Sequence, residues 1–350
     1  MAPEPHRSRT DQVLLRVQGL SKHYALAGKQ RLQALNAVSF ELADSRTLGV
    51  VGESGCGKST LARTLMRLVE ASAGRVEFCG LDWISQLAKP QRLQRRWMQM
   101  VFQDPFSSLD PKHTIGKIVR EPLDIHASEQ TKAQRMQRVH ALLATVGLTP
   151  SDADKYPHEF SGGQRQRVAI ARALALEPRL LIADEPVSAL DVSIQSQILN
   201  LLMTLRQQRN MAMVFISHDL SVVRHISDDV AVMYFGSIVE LAPAAELFEQ
   251  PAHPYTRLLL SSIPKRKQPA GTPARAAWPE VAGAELPDPT KPPAGCAFAA
   301  RCPQAMPRCL HDTPTLQARV VPALQRAALV ACHLFEPQGA GHSVSGAWDT

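Results

Sequence analysis

The chain has 350 residues, 45% hydrophobic and 20% charged, with 39 Lys+Arg against 32 Asp+Glu for a formal charge of +7. That length suits about two domains with a sizeable core, and the composition excludes both a small disulfide-stapled scaffold and wholesale disorder. The most apolar uncharged run, Val230 to Val239, has only ten residues where a membrane helix needs about 20, and residues 1–10 lack the apolar stretch of a secretory signal, so the chain is expected in the cytosol.

In chain order, Leu14 to Val17 and Val38 to Leu42 read as strands of an antiparallel lobe. Leu48-Gly49-Val50-Val51 reads as a buried strand and residues 59–68 as the helix after it. Between them, Gly52-Glu53-Ser54-Gly55-Cys56-Gly57-Lys58-Ser59-Thr60 fits G-x-x-x-x-G-K-[ST] in the strand-to-helix setting that motif requires. Its glycines let backbone N–H groups wrap phosphates at a helix N-terminus. Lys58 is expected to reach the β and γ phosphates, and Ser59 to ligate the Mg²⁺ that bridges them. Met100-Val101-Phe102 is a short apolar run ending at Gln103, and residues 114–145 carry helical patterning with little strand character. The whole helical insertion is placed at about 104–175.

Phe160-Ser161-Gly162-Gly163-Gln164 opens a further helix. Leu180-Leu181-Ile182-Ala183-Asp184-Glu185 is an apolar strand ending in two carboxylates, at the sheet edge where open α/β folds bind ligands. Asp184 suits Mg²⁺, and Glu185 suits removal of a proton from an attacking water. Residues 192–205 form a helix, Met213 to Ile216 a third strand, and another helix starts at Leu220. Short apolar strands alternating with helices imply an α/β core with buried parallel strands.

These motifs, in this order, resemble an ABC-type ATPase over roughly residues 12–262. The resemblance implies a P-loop NTPase core with an antiparallel β lobe, a helical subdomain and a small C-terminal cysteine-rich extension. The Ser161-Gly162-Gly163-Gln164 run matches the family signature, which closes over ATP held by a partner's phosphate loop. Phe160 stands where leucine is usual in the family. Further roles follow from the resemblance alone. Tyr24 stacks on adenine, and Gln103 senses Mg²⁺ and γ-phosphate beside the surface that meets the membrane subunit. Asp191, at the end of Ser188-Ala189-Leu190-Asp191, lies on the loop that communicates across the dimer, and His218 contacts the γ-phosphate. The nucleotide site would thus comprise Tyr24, Gly52, Ser54, Gly55, Cys56, Gly57, Lys58, Ser59, Thr60, residues 161–164 and Asp191. Glu185, His218, Lys58 and Gln103 would be catalytic, and Ser59, Gln103 and Asp184 would hold Mg²⁺. The wording of the motifs is similar to the second of two ATPases in a dipeptide-type importer. That implies a paralogous ATPase as heterodimer partner, two permease subunits, an extracytoplasmic substrate-binding protein acting indirectly, and a peripheral place on the cytoplasmic face of the bacterial inner membrane. The alternative is a soluble ABC ATPase acting on nucleic acid or ribosomes, as the basic excess hints. The chain lacks the second cassette or long coiled coil that such proteins usually carry, so no nucleic-acid partner is expected.

Half of the 26 prolines lie beyond residue 263, which places a boundary near Pro264 and an extension at 263–337, with flexible termini at 1–11 and 338–350. Four of the six cysteines, Cys296, Cys302, Cys309 and Cys332, fall in this extension with the spacing C-x5-C-x6-C-x22-C. In a cytosolic chain four gathered thiols suggest zinc or an iron–sulfur cluster rather than disulfides, with free thiols the third reading and His333 an alternative ligand. The region resembles the C-terminal extension of oligopeptide and dipeptide importer ATPases, and that resemblance implies a [4Fe-4S] site.

Overall fold

The computed structural model describes residues 12–26, 30–84, 94–127, 129–262, 287–319 and 328–335. Both expected flexible termini and the start of the proline-rich stretch lie outside the described residues. Strands β1 (Val13–Ala25), β2 (Arg31–Ala43), β3 (Thr47–Val51), β4 (Ala73–Phe78) and β5 (Leu81–Asp82) come first, with helix α1 (Lys58–Leu65) between β3 and β4. Four of these strands form an antiparallel sheet in the order β2-β1-β4-β5. β3 leaves that lobe because all five of its residues are buried, the mark of a strand covered on both faces.

β6 (Met98–Val101) is followed by helices α2 (Pro105–Ser108), α3 (Ile115–His126), α4 (Lys132–Thr145) and α5 (Gly162–Leu174), and the chain then returns as β7 (Leu180–Asp184). Thr114 and Thr131 start α3 and α4 by accepting backbone N–H groups with their side chains, which satisfies donors a helix leaves unpaired at its first turn. Helix α6 (Val192–Arg209), β8 (Ala212–Ile216), α7 (Leu220–Ile226), β9 (Asp229–Tyr234), β10 (Ser237–Pro243), α8 (Ala244–Glu249) and α9 (Pro254–Ser261) complete the run to residue 262. Two short strands, β11 (Gln317–Arg319) and β12 (Ala328–Val330), come from the extension.

The second sheet has the order β11-β12-β10-β9-β3-β8-β7-β6. β3 pairs in parallel with β8 and β9, and β7 in parallel with β6 and β8. From β9 outward the pairing is antiparallel. The extension therefore shares the large sheet, because β12 covers the free edge of β10 and satisfies its backbone groups.

Two hydrophobic cores lie on the two faces of this sheet, and single strands feed both. On β7, Ile182 joins the core shared with the antiparallel lobe, while Leu181 and Ala183 join the core shared with the helices, the period-2 alternation of a strand. α7 crosses β3 at Gly49, where an added Cβ would run into the side chains of Val223 and Ser227. Gly49→Ala is therefore expected to destabilise by about 1–3 kcal/mol through overpacking, read as a lower thermal midpoint. An unchanged midpoint would mean that α7 moves freely over the sheet.

Candidate functional site

The parallel register brings the C-terminal ends of β3, β6, β7 and β8 to one edge. Val50 is level with Ile216, Ile216 with Asp184, and Ala183 with Val101. Each strand delivers its functional residue just past this line: the glycine loop after Val51, Gln103 after Val101, Glu185 after Asp184 and His218 after Ile216.

The loop after β3 turns sharply enough to require glycine at two points. Gly57 sits at φ +105°, and a Cβ there would meet the Ala34 carbonyl. A Cβ on Gly52 would meet the Met233 carbonyl and the sulfur of Cys56. Ser54 and Gly55 are exposed, Thr60 is half-buried, and Cys56 is buried. Burial pushes the Cys56 thiol up against the pull of nearby Lys58, so Cys56 fills space rather than reacts. Lys58 is itself buried, and its Nζ donates to the carbonyls of Gly52 at 2.7 Å and Glu53 at 3.0 Å. A buried ammonium held on two carbonyls at the start of a helix is a charge suited to an anion.

The Ser59 hydroxyl donates to Asp184 Oδ1 at 3.1 Å. Asp184 is 2% exposed, and burial is the main cause that raises its carboxyl above the ordinary value. Glu185 adopts φ +46°, a left-handed backbone rare for a residue with a side chain. Its N–H donates to the Ile216 carbonyl at 3.0 Å, and its carbonyl accepts from Ser188. This turn aims Oε2 between two neighbours: Gln103 Nε2 donates to it at 3.1 Å, and His218 Nδ1 lies 3.1 Å away. The structure thus joins Ser59 to Asp184, and Gln103 and His218 to Glu185, with Lys58 near enough to Asp184 to act on its carboxyl, and Asp184 and Gln103 line a cleft. Arg63, one helical turn beyond Ser59, lines the same cleft with Asp184 and Gln103. Sequence reasoning missed it, although the i+4 spacing from Ser59 was a usable signal.

The remaining expected residues stand apart. Ser161 and Gln164 form a reciprocal capping box at the start of α5, with Ser161 Oγ accepting the Gln164 N–H at 3.3 Å and Gln164 Oε1 accepting the Ser161 N–H at 3.0 Å. A Cβ on Gly163 would run into the side chain of Ile194, while one on Gly162 would meet Leu190 in ordinary contact, and Asp191 is exposed and makes no side-chain cap on α6. Tyr24 is half-buried near the end of β1, with Lys22 Nζ 4.9 Å from its ring centre. Among the described residues no hydrogen bond links Tyr24, residues 161–164 or Asp191 to Lys58, Ser59, Asp184 or Glu185.

Cys296, Cys302, Cys309 and Cys332 line one pocket, together with His253, Phe298 and His333. Burial raises the thiols of Cys296 and Cys302, and lifts that of Cys332 to about 11, with the neighbouring sulfurs adding to the effect at each. Thiols that penalise one another's ionisation are a donor set a cation would relieve. Their chemistry fits a metal group, but among the described residues no three His, Cys, Asp or Glu side chains are gathered as one metal ion requires. His333 Nε2 is 2.9 Å from the Asp312 carbonyl, which turns that nitrogen away from the role of alternative ligand.

With this geometry in view, the comparisons with known proteins are specific. The ABC transporter family matches residues 35–188, and the family described as "Oligopeptide/dipeptide transporter, C-terminal region" matches residues 239–309. A putative oligopeptide transport ATP-binding protein of Bacillus subtilis, YkfD, is 45% identical over 92% of this chain and 95% of its own length. The oligopeptide transport ATP-binding protein AppF of the same organism is 51% identical over 87% of this chain and 90% of its own. Among solved structures, the dimeric ATP-binding cassette MJ0796 bound to ADP and Pi covers 66% of this chain and 98% of its own, at 28% identity and a TM-score of 0.61.

Asp184 generates a prediction of its own. A carboxyl raised in the folded state loses stability as pH climbs from 3.8 through the folded value, so at neutral pH its charge burdens the fold. Asp184→Asn is expected to raise the thermal midpoint of the nucleotide-free protein by roughly 2–4 °C, equivalent to about 1 kcal/mol in a domain of this size. The same variant should lose the extra stabilisation that Mg²⁺ adds to ATP. A lower midpoint without ligand would refute the electrostatic reading of this strand end.

Proposed function

The chain belongs to the ABC transporter family of ATPases, and from that membership we propose that it hydrolyses ATP to drive import of di- and oligopeptides through partner permeases. The observation that carries the catalytic part is Glu185 Oε2, held between Gln103 and His218 beside the Ser59–Asp184 pair. ATP enters with its phosphates in the glycine loop, and Lys58 exchanges the Gly52 and Glu53 carbonyls for phosphate oxygens. Ser59, Asp184 and Gln103 would hold magnesium. Bound magnesium supplies Lewis-acid neutralisation of the transferring phosphoryl group. Glu185 takes the proton of the attacking water, and His218 orients that carboxylate and reaches toward the γ-phosphate. Tyr24 offers its ring to the adenine.

The exposed Ser161–Gln164 cap presents backbone N–H groups at the start of a 13-residue helix, suited to an anion brought by another molecule. We place there the γ-phosphate of ATP bound to a paralogous ATPase, with Asp191 signalling across the contact. The resulting heterodimer would sit on the cytoplasmic side of two permeases served by an external binding protein. The absence, among the described residues, of a helix long and apolar enough to cross a membrane agrees with a peripheral position. The relatives reported above carry peptide-transport names, and nothing in them favours nucleic acid. For the thiol pocket we propose a [4Fe-4S] cluster held by Cys296, Cys302, Cys309 and Cys332, supported by the shared pocket and by the mutual effect of the thiols. Its role would be structural, since the short strands β11 and β12 bury little apolar surface for the extension.

Glu185→Gln, with the equivalent change in the partner ATPase, should leave ATP binding intact and cut steady-state hydrolysis by about 10²–10⁴-fold, while the ATP-bound pair persists on size exclusion. Hydrolysis at the normal rate would remove Glu185 from the mechanism. Iron and acid-labile sulfide should be found in anaerobically purified protein in equal amounts, close to four of each per chain. One equivalent of zinc with no sulfide would replace the cluster by a single ion.

A further inference from the structure

We infer that Arg301, in the C-terminal extension, is a positioning residue for ATP binding, acting on the phosphate loop through Glu53. The inference rests on the reading that this loop holds ATP. Arg301 Nη1 donates to Glu53 Oε2 at 2.8 Å and Nη2 to Oε1 at 2.9 Å, a two-pronged contact between residues 248 positions apart. The Arg301 side chain is 17% exposed and that of Glu53 28%, so water screens this pair less than a surface ion pair.

Glu53 is the second residue of the glycine loop, and all of its polar groups are engaged. Its N–H donates to Tyr255 Oη at 2.9 Å, and its carbonyl accepts from Lys58 Nζ at 3.0 Å. Tyr255 is fully buried, and its ring packs on Tyr234 at 4.6 Å and on Phe298 at 5.4 Å between centres. Arg301 lies 5.8 Å from the Tyr234 ring centre and 5.7 Å from that of Phe298. Three packed aromatic rings thus form a rigid base from which one hydroxyl and one guanidinium reach the loop. Phe298 belongs to the extension and also lines the thiol pocket.

The physical need is clear from the loop's composition. Gly52, Gly55 and Gly57 give it backbone freedom that lowers the fraction of molecules whose N–H groups converge on a phosphate. Apparent affinity falls in proportion to that fraction. A planar fork on Glu53 restores it, and a lysine in the same place could not, since an ammonium does not span both carboxylate oxygens. Arg301 also neutralises the one carboxylate that the loop itself carries.

The test measures the dissociation constant of a fluorescent ATP analogue with Mg²⁺ on the full-length chain. Arg301→Ala should weaken binding about tenfold, the size expected for loss of a charge-assisted bond. Arg301→Lys should recover little of it. Glu53→Gln should weaken binding less, and the double variant should be no weaker than Arg301→Ala alone, because the two residues act as one unit. In the assembled transporter the same changes should raise KM for ATP and leave kcat within about twofold. A dissociation constant unchanged in Arg301→Ala, full rescue by lysine, or effects that simply add would each overturn the inference. Should Arg301→Ala fail to fold, Arg301→Lys decides, since it keeps the charge and the aliphatic stem and loses only the two-pronged contact with Glu53. Its affinity should fall several-fold, and an unchanged value would overturn the inference. Failure of the unaltered chain to bind the analogue would instead sink the reading of the loop itself.

Discussion

The site depends on the register of four parallel strands. A slip of one residue between β7 and β8 would turn every side chain of the slipped strand to the opposite face, exchanging Ile182 with its neighbours Leu181 and Ala183 between two filled cores. The cores therefore lock the register, and the register sets which residues emerge at the edge. Two cross-strand bonds carry the alignment past the last paired residues. The Glu185 N–H donates to the Ile216 carbonyl, and the Ser217 N–H donates to the Val50 carbonyl. Catalytic geometry here is a by-product of burying apolar side chains on both faces of one sheet.

That edge stores the tension the chemistry uses. Asp184 stays buried with its carboxyl raised, Glu185 takes a left-handed backbone, and Lys58 rests on two carbonyls. None of these is how a sequence optimised only for stability would leave two strands. On the proposed mechanism each becomes favourable once a polyanion and a divalent cation arrive: the anion would take over the ammonium, and the cation the carboxylate. On that mechanism the folded protein holds charges of both signs in place beforehand, and so would avoid reorganising them during the reaction.

Legibility in the sequence followed the distance over which each feature is specified. The glycine loop, the acidic strand end and the helix start at Ser161 were readable because their chemistry is local: a handful of adjacent residues settles the backbone path and the donors. The parallel strands were readable as apolar runs, and the helical region by its period. The outer half of the large sheet was not. Val230 to Val239 registered as an apolar run with no turn assigned, although Phe235 and Gly236, both at positive φ, fold it into the β9–β10 hairpin. β11 and β12 are three residues each, too short for any periodicity, and they exist because β10 offers an edge to pair with. Roles for Tyr24, Gln103 and His218 came from family resemblance. The structure supplies a local reason for two of them, since Gln103 and His218 converge on Glu185.

The extension shows why a proline-rich tail can matter to a nucleotide site it follows in sequence by more than two hundred residues. Its own apolar burial is modest, but Phe298 is 1% exposed and closes a three-ring cluster with Tyr234 and Tyr255. Tyr234 ends β9, next to β3, and Tyr255 lies in α9, so the cluster ties the extension to the strand that carries the phosphate loop. Nearby, Glu240 is buried at the β10–β12 pairing and accepts the N–H groups of Ala252 and His253 with its two carboxylate oxygens. His253 is forced by burial down to about 3 and so stays neutral, its Nδ1 accepting the Tyr255 N–H. A buried acid bonded to backbone and a neutral buried imidazole are both costly to leave unsatisfied, so the segment before α9 has few alternative conformations. Stiffness is thereby passed from the sheet edge to α9 and from α9 to the loop, and the thiol pocket lies along that same path.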